Sequence, residues 1–151
     1  MKRVVYKVLR SSFERSGGKF SLQELSTQLE ESTDVIATSM RSAQDTEKNL
    51  ELIKHIAGIE AWGTRRLRVS LGEPQLSDEY DGYRPDEDTK EALIAAFLTI
   101  RENTLNTVRE ISENNSSESL KVEHNDFGAM TLKAWIAYIK GHAFIETRKM
   151  K

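Results

Sequence analysis

Both prolines of the chain, Pro74 and Pro85, fall in one stretch, residues 72–88 (GEPQLSDEYDGYRPDED), together with Gly72 and Gly82. Proline has no backbone N–H to donate and clashes inside a helix, so this stretch is the main connection and long helices are free to form on either side of it. Elsewhere the apolar residues recur at steps of three and four, and strand-like alternation is rare. The pattern predicts an all-α fold, a four-helix bundle over residues 21–151 with residues 1–20 as a short N-terminal extension.

Local signals place the helices. Ser21 followed by Glu24 is a capping-box pattern, opening a helix that carries Leu22, Leu25, Leu29, Val35, Ile36 and Met40 into the low 40s. The polar run SAQDTEKN supplies a turn, with Asp45 or Thr46 as the cap of a second helix over about residues 48–71. Its apolar stripe is Leu52, Ile56, Ile59, Gly63 and Leu67. A third helix, starting just beyond Asp86 or Asp88, carries Leu93, Phe97, Ile100, Thr104, Val108 and Ile111 and ends at NNSSES. The segment VEHNDFGAM reads as loop, after which Thr131 caps a final helix bearing Leu132, Trp135, Ile136, Ile139 and Ala143. Residues 2–15 suit an amphipathic helix or a short strand, and the pair Gly17 and Gly18 is expected to separate them from the bundle.

With 151 residues, 38% of them hydrophobic, the chain is the size of one domain that needs no metal or disulfide to hold its core. Its 22 Lys and Arg against 24 Asp and Glu give a formal charge of −2, which argues against nucleic acid or an anionic membrane as partner. Cysteine is absent, so disulfides, thiolate ligands and a cysteine nucleophile are excluded. The first residues alternate charge with short apolar pairs, unlike a secretory leader, and a cytoplasmic protein is the default expectation.

Two of the three histidines lie on apolar helix faces. His55 follows Leu52 and precedes Ile59 and Trp62 at steps of three, four and three, so it should point inward. In the final helix Trp135, Ile139, His142 and Glu146 step by four, three and four. Side chains at i and i+4 are neighbours, so His142 and Glu146 are close enough to share a proton or to ligate one ion, and His55 completes a three-ligand site if the second and fourth helices touch. The same spacing equally describes a buried ion pair with no metal.

The segments NLELIKHIAGIEAWGTRRLRVSLGEP and VEHNDFGAMTLKAWIAYIKGHAFIETRKM resemble the second and fourth helices of the DinB-like, or YfiT-like, superfamily of metalloenzymes. The matching features are His55, Glu60 and Trp62 in an H-x4-E-x-W context, then Gly128, Thr131, Leu132 and Trp135 leading to His142. The resemblance covers roughly residues 21–151. It implies a four-helix bundle holding a divalent metal, zinc or nickel, with His55 and His142 as ligands. Glu146 stands where the family has its third histidine, which gives either a two-histidine, one-carboxylate site or a lost one. Relatives in the family include transferases that use low-molecular-weight thiols such as bacillithiol and mycothiol, and many are homodimers. The resemblance thus implies a metal-dependent enzyme acting on a small molecule with a thiol cosubstrate, as against a metal-free bundle that dimerises or binds a partner. Hydrolysis by metal-activated water uses the same three residues.

Other residues read as structural. His124 is expected to be a solvated loop residue, Glu60 a helix-surface charge with a supporting role at the metal as the alternative, and Trp62 and Trp135 core anchors. Arg65, Arg66 and Arg68, and the tail at residues 147–151, read as solvated faces, with phosphate contacts as the alternative. Tyr80, Asp81, Gly82 and Tyr83 form either a pocket mouth or an ordinary turn.

Overall fold

A computed structural model describes residues 1–114 and 119–151 and is helical apart from one two-stranded hairpin. The elements are α1 (Lys2–Gly18), α2 (Leu22–Ser42), α3 (Glu47–Leu67), α4 (Lys90–Glu113), β1 (Lys121–His124), β2 (Gly128–Thr131) and α5 (Leu132–Thr147). Short 3-10 turns occupy Arg68–Leu71 and Tyr80–Tyr83.

Each helix after α1 begins where a side-chain oxygen meets an orphan backbone N–H. The Glu24 amide donates to Ser21 Oγ, and the Ser21 amide donates to the Glu24 carboxylate, completing the capping box. Thr46, Thr89 and Thr131 accept from the amides of Asn49, Ala92 and Ala134 and so start α3, α4 and α5. α4 ends at Glu113, with Asn114 as its cap; the rest of the NNSSES terminator through Glu118 lies outside the described residues.

Helices α3 and α2 each pack against both α4 and α5, so the four share one interior. Trp62 and Trp135 anchor it edge to face, with ring centroids 5.4 Å apart. Each ring N–H finds a carbonyl, Trp62 on Asp78 and Trp135 on Val122, so two large apolar bodies are buried with no polar cost. Gly63 in α3 lies against Ile139 of α5: a Cβ at position 63 would come within 2.9 Å of that side chain. The missing side chain is what allows α3 and α5 to approach closely.

The segment VEHNDFGAM is a hairpin and not a loop. β1 and β2 pair antiparallel, with Val122 opposite Met130 and His124 opposite Gly128, and Val122 and Met130 are fully buried. The turn closes because the amides of Asp126 and Phe127 both donate to His124 Nδ1, while Gly128 takes a φ of +80°, which glycine reaches without strain. Gly17 and Gly18 do not interrupt the first segment either. Both belong to α1, which packs on α5, and a Cβ on Gly17 would lie 2.4 Å from the Lys133 carbonyl oxygen. The pair is a point of close contact, a role that sequence spacing cannot distinguish from a hinge. In α3 the inward residue near the start is Ile53, with Leu52 only partly covered.

Candidate metal centre

α3 contributes His55, and α5 contributes His142 and Glu146. One ligand atom from each, two imidazole nitrogens and a carboxylate oxygen, lie within 4.8 Å of one another. The two Nε2 atoms are 3.1 Å apart, with ring centroids 4.9 Å apart and planes inclined at 62°. The structure therefore brings together all three residues that the sequence singled out.

The electrostatics favour neutral imidazoles. Burial lowers His142 to about 4, with the adjacent His55 charge acting in the same direction. Burial also lowers His55, helped by Arg84 and opposed by Glu146. Burial alone would raise the Glu146 carboxyl, but the hydrogen bond from Lys149, at 2.8 Å, and the charge of His142 hold it below its usual value. At neutral pH the cluster is thus two uncharged nitrogen donors beside a carboxylate.

Tyr80 packs edge-on against His55, with ring centroids 5.3 Å apart. Its position depends on Asp78. Arg66 donates from Nη1 to Asp78 Oδ1 at 2.6 Å and from Nη2 to the Asp78 carbonyl at 3.0 Å; Trp62 and Asn125 donate to that same carbonyl, and the Tyr83 hydroxyl donates to the Asp78 carboxylate. These bonds fasten the proline-containing connection onto α3, so Tyr80 forms one wall beside the histidines. Residues 80–83 form a 3-10 turn, and through Tyr80 it borders the cluster. From the other side Tyr138 approaches His142, at 6.0 Å between centroids.

Three residues read as surface groups are buried. Glu60 is 1% exposed and pairs with the equally buried Arg101: Arg101 Nε donates to Glu60 Oε1 at 2.6 Å and Nη2 to Oε2 at 2.9 Å. Thr104 donates to the same carboxylate, and Arg101 Nη1 reaches the Leu29 carbonyl and Ser32 Oγ. Glu60 thus faces α4 and takes no part at the histidines. The available signal was Arg101, which stands four residues after Phe97 and three before Thr104 on the apolar stripe of α4. Arg66 is fully buried because Asp78 neutralises it, and only its neighbours Arg65 and Arg68 keep some exposure. His124 is 5% exposed, stacked on Phe127 and surrounded by Trp62, Trp135 and Tyr138. Burial, together with the Arg66 charge, lowers it to about 4. The chain matches no family model, and neither a curated protein nor a solved structure matches it.

Proposed function

We propose that the chain is a divalent-metal-dependent enzyme built on a DinB-like four-helix bundle, with His55, His142 and Glu146 as the protein ligands, and that it transfers a low-molecular-weight thiol. The observation that carries the metal assignment is the convergence of three donor atoms from two helices within 4.8 Å. Two imidazoles and one carboxylate suit zinc, nickel or ferrous iron. With metal–nitrogen bonds of about 2.0 to 2.1 Å, two ligands lie about 2.9 Å apart at a right angle and about 3.3 Å apart at the tetrahedral angle. The 3.1 Å between the Nε2 atoms falls between these values.

A divalent ion held there supplies Lewis acidity, which favours the thiolate form of a thiol near neutral pH. The chain's own residues set how strong that effect is. Both imidazoles are held neutral, so they keep lone pairs for ligation, and Glu146 is held ionised. A carboxylate in place of a third imidazole lowers the net charge of the centre from about +2 to about +1, giving a milder Lewis acid. The absence of cysteine in the chain fits a thiol that is supplied as a separate cosubstrate. The thiol-transfer part of the proposal rests on the resemblance of residues 49–74 and 122–150 to thiol-dependent relatives.

A second reading, a metal-free bundle acting through a partner, draws on two contacts that satisfy the same groups without an ion. These are the hydrogen bond between the imidazoles and the pairing of Lys149 with Glu146. Elemental analysis of tag-free protein purified without chelator separates the two. The metalloenzyme predicts near-stoichiometric metal that is lost in His55→Ala and Glu146→Ala; a parent protein without metal that gains it only in Glu146→His supports the second reading.

A further inference from the structure

The formal charge of −2 hides a segregation. Residues 1–19 hold six Lys and Arg against a single acid, Glu14, and leave the remaining residues at −7. Glu14 is already engaged, accepting from the Thr131 amide at 2.9 Å and from its hydroxyl at 2.6 Å. Together with the contact of Gly17 on Lys133, this fixes one face of α1 to α5. The opposite face carries Val4, Val8, Val5 and Leu9 in two adjoining i, i+4 rows, each 38 to 66% exposed. On one flank Arg3, Lys7 and Arg10 line a cleft of about 220 Å³ with Asp126 and Phe127 at the hairpin turn. Among the described residues, neither Arg3 nor Lys7 has an acidic partner within ion-pair distance.

We propose that α1 is a preformed docking helix for an anionic lipid bilayer, with its aliphatic rows entering the boundary between headgroups and acyl chains while the exposed Arg3 and Lys7 hold phosphodiester headgroups and Arg10 stays on the Phe127 carbonyl. A basic helix with one apolar face lying in the interface plane is the arrangement that binds anionic membranes. Charge selects this occupant over a second copy of the chain, because α1 against α1 would set cations on cations with no free acid on either helix. Length selects it over a partner helix. The apolar rows run for only about two turns, well short of the three or more heptads that a coiled-coil seam needs. This assignment is independent of the metal centre.

The test is flotation of the full chain with vesicles of phosphatidylcholine containing about one-third phosphatidylserine, beside vesicles of phosphatidylcholine alone. The parent should float with the anionic vesicles only, and less as salt rises. Arg3→Gln with Lys7→Gln should weaken partition about 30-fold, and Val4→Ser with Val8→Ser at least 10-fold. All four positions are exposed, so circular dichroism and metal content should not change in either variant. A parent that stays unbound, or that floats equally with neutral vesicles, overturns the proposal. So does retention of inorganic phosphate without vesicle binding, which gives the cleft to a soluble anion. A change of oligomeric state in Val4→Ser with Val8→Ser, without loss of flotation, gives the valines to a second copy and also overturns it.

Discussion

Nε2 of His55 and Nε2 of His142 lie 3.1 Å apart although 87 residues separate them in the chain. A ligand that binds only the folded state raises apparent stability, so zinc or nickel should raise the unfolding temperature and chelation should reverse the rise. At free metal 100-fold above Kd the gain is about 2.7 kcal/mol, or about 5 to 10 °C for a chain of this size. In His55→Ala the metal should move the unfolding temperature by less than about 1 °C. Thermal melts with and without metal read this directly, and a full shift in the variant would remove His55 from the ligand set.

Arg101 and Glu60 form an ion pair with both side chains essentially out of solvent. Arg101→Met should cost about 3 to 5 kcal/mol, because a carboxylate is left buried with Thr104 as its remaining donor. Adding Glu60→Leu to Arg101→Met should recover most of that loss, since both charges are then gone. Urea denaturation of the single and double variants measures the coupling; strictly additive losses would show that the pair does not act as a unit.

Gly17 and Gly18 are adjacent in sequence but meet different surroundings. A Cβ at position 17 would collide with the Lys133 backbone, whereas at position 18 nothing among the described residues lies within 4 Å. Gly17→Ala should therefore destabilise by about 1 to 3 kcal/mol and loosen α1 from α5. Gly18→Ala should stabilise by up to about 1 kcal/mol, because alanine is the better helix former. Equal effects of the two substitutions on the unfolding midpoint would contradict this account of the α1–α5 contact.

His124 is buried as the neutral base, with Nδ1 accepting two turn amides. Its folded pKa of about 4 lies below the ordinary 6.5, so between those values the unfolded chain binds the proton and the folded one does not. Stability is thus intact above about pH 6.5 and falls as the pH drops toward 4, by up to about 3 kcal/mol from this residue. His142, also at about 4, adds to the slope in metal-free protein. In His124→Asn, whose side-chain oxygen can still accept from the turn, the slope of unfolding free energy against pH should fall by about one proton across that window. An unchanged slope would remove His124 as a source of acid sensitivity.

Helices α2 to α5 were legible in the sequence because what starts a helix is local, whereas residues 2–15 suited helix or strand until α1 packed on α5. Ser21, Thr46 and Thr131 each cap an amide three residues on, within the reach of a short sequence pattern, while α4 is capped by Thr89 and not by Asp86 or Asp88. The i, i+4 relation of His142 and Glu146 was legible for the same reason, and so were the buried tryptophans on their helical rows. The hairpin was not, since its turn depends on His124 serving as acceptor, and that residue is dry only because Trp62, Trp135 and Tyr138 enclose it. Likewise, whether a charged side chain is solvated depends on a partner distant in sequence: Arg101 stands 41 residues from Glu60, and Asp78 reaches Arg66 only once the connection folds back over α3. Tertiary structure alone decided the cluster of His55 with His142 and Glu146, because helical periodicity gives each helix a face but not its neighbour, and the close approach of α3 and α5 at Gly63 is what makes those two faces meet.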